Sequence, residues 1–167
     1  METDALLLDA FGRIRDLVPQ VLDGLDEKAL ARRPGGTGNS IAWLVWHLSR
    51  VQDDHVADAA GSGQAWLEEG WRERFALDLP ADDTGYGHGP EEVARVRASA
   101  DLLTGYAAAV AARTEAFVTG LRPADLERVV DERWDPPVTL GVRLVSVVSD
   151  CLQHLGQAGY ARGLAGA

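Results

Sequence analysis

Three ionisable residues fall on helix faces that are otherwise apolar. His47 lies between Leu44 and Leu48 in a run with helical spacing, and Asp150 and His154 stand four residues apart in a second such run. Residues four apart differ by about 40° around an α-helix and therefore share one face. A carboxylate on a face that packs into a core is costly unless a positive group meets it. We therefore expect the three side chains to meet where the two helices pack together.

Two imidazoles and one carboxylate form a ligand set for zinc and other divalent transition metals, with at least one position left for water or substrate. Helical bundles commonly hold such sites between facing helices. We interpret His47, Asp150 and His154 as the ligands of one divalent metal, zinc first, with nickel or another divalent ion as the alternative. Spacing alone leaves simpler readings open, because each His could be a hydrogen-bonded core residue. Asp150 with His154 could also be a plain i,i+4 ion pair.

The elements that must position these residues are helices. Apolar residues recur at intervals of three and four and predict four long helices, over residues 4–25, 39–60, 90–120 and 139–163. Shorter helical pieces are expected at 26–32 and 64–77, with a loop at 78–90 and an irregular stretch at 122–137. We see no strand pair, so the predicted fold class is all-α, a four-helix bundle with short extra helices in its connections.

Start and stop signals support these boundaries. Asn39 and Ser40 are good N-cap residues for the second helix, and Pro90 suits the first turn of the third. Gly120 and Gly163 mark the ends of the third and fourth helices.

Composition limits the function classes. The chain has 167 residues, 46% of them hydrophobic, which suits one domain spanning 1–167. A net charge of −10 argues against nucleic-acid and anionic-membrane partners. We find no signal peptide and no apolar run of membrane-spanning length. The single cysteine, Cys151, excludes an internal disulfide and fits a cytoplasmic protein.

Two stretches resemble the motifs of a known superfamily. Residues 39–48, Asn-Ser-Ile-Ala-Trp-Leu-Val-Trp-His-Leu, resemble the helix-two motif of the DinB/YfiT-like superfamily. Residues 150–157, Asp-Cys-Leu-Gln-His-Leu-Gly-Gln, resemble its helix-four motif, in which a ligand is followed by His-x-Gly-Gln. The resemblance covers essentially the whole chain and implies a metal-binding four-helix bundle.

Asp150 stands where many members of the superfamily have His. The sequence is therefore similar to the branch that contains mycothiol-dependent maleylpyruvate isomerase and mycothiol S-transferases, in which a carboxylate, commonly Glu, takes this place. Asp is one methylene shorter than Glu, so Asp150 is expected either to coordinate the metal directly or to orient a ligand His from behind.

The resemblance implies mycothiol as co-substrate. A metal with an open position favours the thiolate form of a bound thiol, which is the nucleophile. Our first hypothesis is a metal-dependent thiol S-transferase acting in detoxification or secondary metabolism. Its partners are a small-molecule thiol and an electrophile, and we expect no catalytic residue beyond the metal ligands. Alternatives are a non-catalytic metal- or ligand-binding stress protein and a thiol-dependent cis-trans isomerase. The isomerases generally carry a further C-terminal domain, and because this sequence ends at Ala167, just after the fourth predicted helix, we expect the isomerase less than the transferase. A homodimer is one option for the assembly.

Further residues are candidates for contact with the thiol. His55 and Asp54 follow His47 on the second helix and could line the pocket mouth or supply an acid or base, or form a solvated helix end. Arg162 could bind a carboxylate of the thiol or cap its own helix. Trp43 is a candidate pocket wall.

The remaining unusual residues are assigned to core or surface. His88 lies in a Gly-rich loop and is expected to be exposed, whereas Cys151 is expected to be a small buried core residue. Trp66, Trp71 and Trp134 lie in irregular parts of the sequence, where they could line a pocket instead of the core.

Overall fold

The computed structural model describes residues 2–165. Eight α-helices and one pair of short strands make up this part of the chain. They are α1 (Thr3–Leu22), α2 (Glu27–Leu30), α3 (Ile41–Ala60), α4 (Ala65–Glu68), α5 (Trp71–Phe75), α6 (Pro90–Arg95), α7 (Ala100–Val118), β1 (Val129–Asp131), β2 (Val138–Thr139) and α8 (Leu140–Ala165). Single 3-10 turns occur at Pro34–Gly36 and Pro123–Glu127.

Four long helices, α1, α3, α7 and α8, form the bundle. Each of α1 and α3 packs against both α7 and α8, so that α3 and α8 are direct neighbours, as the triad requires. The interior is filled by large side chains such as Phe11, Trp46 and Leu144, each at most 2% exposed. The all-α prediction is thereby confirmed. In the described part of the chain, no helix is both long enough and apolar enough to cross a membrane.

The ends of α3 are fixed by its sequence. The Ser40 hydroxyl accepts a hydrogen bond from the Trp43 amide at 3.2 Å, which satisfies one free amide of the first turn. Gly61 ends the helix with φ of 66°, a left-handed conformation that only glycine adopts without strain. His47 thus lies in the second turn of a helix whose start is well defined.

The third predicted helix is wrong as a single element. The chain forms α6 over Pro90–Arg95, leaves helical geometry at residues 96–99, and starts α7 at Ala100. The Ser99 hydroxyl accepts the Leu102 amide at 3.2 Å, so a new N-cap competes with helix continuation. The break buries Val96, which is 1% exposed.

The prediction that the chain has no strand pair is also wrong. Strand β1 pairs with β2 in an antiparallel manner, with Val129 opposite Thr139 and Asp131 opposite Val138. Two strands of three and two residues are too short to show a periodic pattern. Their consequence is local: they hold Asp131 beside α8.

Candidate metal centre

His47, Asp150 and His154 meet between α3 and α8. Their ligand-type atoms all lie within 4.8 Å of one another, and the two imidazole centroids are 4.7 Å apart. Nε2 of His154 lies 3.5 Å from Oδ1 of Asp150. In residues 2–165 no other group of three His, Cys, Asp or Glu side chains converges in this way. The structure thus brings the three residues together as their helical spacing predicts.

One nitrogen of His47 is already engaged. Its Nδ1 lies 2.5 Å from the main-chain oxygen of Thr84, and a carbonyl can only accept, so Nδ1 carries the proton. Burial lowers the pKa of His47, although the bond to Thr84 acts in the opposite direction. The imidazole is therefore neutral at physiological pH, with Nε2 left as the free lone pair.

The loop that carries Thr84 is anchored to α3 by further polar contacts. His88 Nε2 contacts the Asp83 carboxylate at 2.8 Å, while its Nδ1 accepts the indole N–H of Trp43 at 3.1 Å. Arg50 donates Nε–H to the main-chain oxygen of Asp83 at 3.0 Å. The prediction that His88 is exposed is wrong: its side chain is 7% exposed, because the loop folds back onto the helix and uses both ring nitrogens.

His154, like His47, has its Nδ1 engaged by a polar group of the protein. Nδ1 of His154 lies 3.1 Å from Oε1 of Gln157, one turn further along α8, which leaves Nε2 facing Asp150. The contact with the Asp150 carboxylate raises the pKa of His154. Burial alone would raise the pKa of Asp150, but the neighbouring imidazoles outweigh burial and lower it. The pair is therefore an anionic carboxylate beside a readily protonated imidazole.

The donor set fits a divalent metal ion. Two atoms that each lie about 2 Å from one zinc ion are at most about 4 Å apart, so small side-chain rotations bring the triad to coordination distance. Oδ2 of Asp150 is buried with no hydrogen-bond partner, a costly state for a carboxylate oxygen. A cation in contact with this oxygen would remove that cost.

Trp43 packs against both histidines. Its ring stacks on His47 at a centroid distance of 4.6 Å and meets the His154 ring edge-on at 6.0 Å. Trp43 is 5% exposed, so it forms a wall of the site, restricting the orientation of both imidazoles.

His55 and Asp54 lie further along α3. His55 accepts a contact from Arg143 of α8 at 3.2 Å through Nδ1, and Asp54 accepts a hydrogen bond from Gln64 at 2.7 Å. Both side chains line a cleft between α3, β1 and α8. Burial, followed by the charge of Arg143, lowers the pKa of His55.

Arg162 of α8 binds the end of α1. Its guanidinium donates to the main-chain oxygens of Gln20 and Val21 at 2.9 and 3.1 Å. These carbonyls belong to the last turn of α1, where such groups lack helical partners. Arg162 therefore caps α1, a neighbouring helix, and not its own helix.

Cys151 and the tryptophans divide between core and surface. The Cys151 thiol is buried against the Leu48 carbonyl, as predicted, and burial raises its pKa, so it is unsuited to act as a thiolate nucleophile. Trp66 and Trp71 are core residues at 3% and 8% exposure, whereas Trp134 is 65% exposed.

Sequence reasoning missed the loop around Thr84 and the role of Arg143. Gly85 was the available signal, because its φ of 87° and its contact with His47 require a residue without a side chain. A Cβ at this position would lie 2.8 Å from His47 Nδ1. One glycine among several in a loop does not reveal this by spacing alone.

Comparison with known proteins gives a consistent result. The family model described as mycothiol S-transferase matches residues 6–166. A crystal structure of a conserved protein from Enterococcus faecalis is 35% identical, with a TM-score of 0.89, covering 97% of this chain and 96% of that one. No curated protein matches. The resemblance to the DinB/YfiT-like superfamily is thereby confirmed, and the chain belongs to the mycothiol S-transferase family.

Proposed function

We propose that this protein is a metal-dependent transferase that joins mycothiol to a small electrophile, as in detoxification. The observation that carries the proposal is the convergence of one carboxylate and two imidazoles, which bind metals in their neutral form. In addition, Oδ2 of Asp150 is buried without a hydrogen-bond partner. The family match supports mycothiol as the thiol. Zinc is the metal that best suits this ligand set.

Within this proposal Asp150 is a direct ligand. An aspartate that orients a ligand His from behind accepts the hydrogen bond of the outer ring nitrogen. Here those nitrogens are taken by Thr84 for His47 and by Gln157 for His154. The carboxylate instead faces Nε2 of His154, on the side where the metal would bind.

The residues of the chain define an open site. Three protein donors would hold a divalent metal with at least one position left for an incoming sulfur. A divalent metal bound there would supply the positive charge that keeps the thiol in its thiolate form. Trp43, Thr84 and Gln157 fix the imidazole planes, so little reorganisation is needed when the thiol arrives. The triad residues act without an additional catalytic side chain.

The proposal is tested with protein purified without added metal. Elemental analysis is expected to show one divalent ion per chain, and mycothiol addition to a panel of activated electrophiles is expected to stop after treatment with a strong chelator. A free thiol with a pKa near 8.5 is only a few per cent thiolate at neutral pH. The catalysed rate is therefore expected to change little between about pH 6 and 8, unlike the uncatalysed one.

Glutathione provides the specificity control, because it lacks the sugar scaffold of mycothiol and is expected to react poorly. Metal-loaded protein with no mycothiol turnover across the panel would contradict the proposal and favour a binding protein. Metal-dependent cis-trans isomerisation without transfer would favour an isomerase.

A further inference from the structure

A polar cleft lies in the groove between α3 and α8, about two helical turns from the metal centre. It has a volume of about 500 Å³ and is bounded by the end of α3, strand β1 and the first turns of α8. Asp54 and Arg143, which line it, are each seven residues from a triad member, His47 and Asp150 respectively. Seven residues make nearly two helical turns, so they lie on the same faces about 10 Å away.

The charged groups at the inner end of the cleft are fixed. Asp131 is held by Arg143 at 2.9 Å and by Arg133 at 2.8 Å, and the side chains of Asp131 and Arg143 are 4% and 13% exposed. Arg143 also donates to Nδ1 of His55 at 3.2 Å. An arginine can only donate, so the ring proton of neutral His55 is on Nε2. His55 thus offers one N–H donor.

The outer part of the cleft offers acceptors. Asp58 is exposed on the last turn of α3, and Asp54 has one carboxylate oxygen bonded to Gln64. Overall three carboxylates face two guanidinium groups in the lining. The lining therefore holds both donors and acceptors and has a small net charge, which suits a neutral ligand whose groups both donate and accept.

We propose that this cleft binds the polyhydroxylated sugar portion of the thiol whose sulfur is held at the triad. Hydroxyl groups are the ligand groups that donate and accept at the same time. The offset of about 10 Å along the helices is longer than the cysteinyl linker between sulfur and sugar, so it is the sugar portion, extending beyond that linker, that would reach the cleft. The inference rests on the proposed function for the identity of the thiol. The cleft would make mycothiol a better substrate than a bare thiol.

The experiment uses two ligands and matched variants. The first ligand is thiol-free N-acetylglucosaminyl inositol, whose binding to the metal-loaded protein is followed by calorimetry. The variants are Asp58→Ala and His55→Ala, with Asp16→Ala as control. Asp16 is an exposed carboxylate on α1 whose bond is to its neighbour Arg15. The carboxyl end of a helix carries a partial negative charge, so removing the negative charge of Asp58 there does not destabilise α3. Asp58→Ala is therefore expected to fold.

Each cleft variant is expected to weaken binding of the thiol-free ligand about tenfold, the effect of one hydrogen bond to a charged or fixed group. The control is expected to leave it unchanged. The kcat/KM ratio of mycothiol over N-acetylcysteine is expected to fall by a similar factor in the cleft variants, with metal content kept.

Failure of this inference and failure of the proposed function give different experimental results. Metal-dependent turnover with no response to either cleft variant would overturn this inference and leave the proposed function intact. Binding of the thiol-free ligand that responds to Asp58→Ala in protein without transferase activity would support the cleft while contradicting the transferase. Absence of binding by the wild type, with mycothiol and N-acetylcysteine turned over equally well, would also overturn the inference.

Discussion

His47 donates its Nδ1–H to the main-chain oxygen of Thr84 across 2.5 Å, which leaves Nε2 as its free ring nitrogen. Thr84 belongs to a loop far from α3 in the sequence, so the tautomer of a candidate ligand is set by a segment without periodic structure. His154 has the equivalent partner on its own helix, Gln157. One ligand is thus oriented by tertiary contact and the other by local helix geometry.

Metal content is expected to depend on all three triad residues. His47→Ala and His154→Ala should lose most bound zinc after dialysis, measured by elemental analysis, because two donors are too few for a stable site. Asp150→Ala also leaves only two protein donors and should lower zinc affinity by more than the roughly tenfold minimum expected for loss of an outer hydrogen-bond partner, whereas Asp150→Glu should be tolerated. His55→Ala is the control. Wild-type zinc content in both triad His variants would contradict the assignment.

Gly85→Ala is expected to lower zinc affinity without altering any ligand. The new Cβ would lie 2.8 Å from His47 Nδ1 and 2.9 Å from Trp46, so the loop must move and the bond from His47 to Thr84 lengthens. Loss of the hydrogen-bond partner of a ligand histidine, here the Thr84 carbonyl, lowers metal affinity about 10- to 100-fold.

Gly87→Ala is a close control for this change. Gly87 also has positive φ, 78°, and a Cβ there would meet nothing within 4 Å. Both variants carry a backbone cost of about 1–2 kcal/mol, measurable by urea unfolding, but only Gly85→Ala should affect zinc affinity. Equal affinities in the two variants would show that loop position does not control His47.

In metal-free protein the pKa of His154 is expected to lie above the usual value for histidine and the pKa of His47 below it. The Asp150 contact raises the pKa of His154, whereas burial lowers that of His47, relative to about 6.5. Stabilisation by the pair of Asp150 and protonated His154 is therefore complete below about pH 6.5 and is lost as pH rises through the folded-state pKa of His154. NMR titration of the ring Cε1–H resonances measures both.

Asp150→Asn is expected to bring the titration midpoint of His154 down while the fold is kept. A midpoint that does not move would mean that the carboxylate and the imidazole do not interact in solution. Zinc competes with protons for the same nitrogens, so its apparent affinity should fall as pH decreases through this range.

A buried network beneath the loop is expected to dominate stability. The Asp53 carboxylate accepts hydrogen bonds from Tyr106 at 2.8 Å and from the amides of Ala65 and Trp66 at 2.9 and 2.8 Å. It also lies 3.7 Å from fully buried Arg50. Asp53→Ala leaves that guanidinium without its anion and should cost about 3–5 kcal/mol in urea unfolding.

Asp9→Ala is the matched surface change. Asp9 pairs with Arg13 one turn away, and both side chains are more than half exposed. Such pairs contribute about 1 kcal/mol or less. A loss for Asp53→Ala no larger than that for Asp9→Ala would show that the network is not important for the fold.

The helices and the triad could be predicted from the sequence because both follow from local geometry. The 3.6-residue period places Asp150 and His154 on one face, and a polar residue within an apolar stripe marks His47. Capping by Ser40 is likewise a local interaction, readable from residue type and position. The break at Ser99 was missed because a competing N-cap is decided by burial of Val96, which depends on the whole core.

Only the tertiary structure decided how the triad is supported. Thr84, Asp83 and His88 reach α3 through hydrogen bonds between segments with no shared period, and Gly85 makes room for that approach. Arg162 was free by sequence to cap its own helix, yet the packing of α8 on α1 presents it with the carbonyls of Gln20 and Val21. Chain spacing specifies which side chains share a helix face, whereas the partner of each polar atom depends on which segments the core brings into contact.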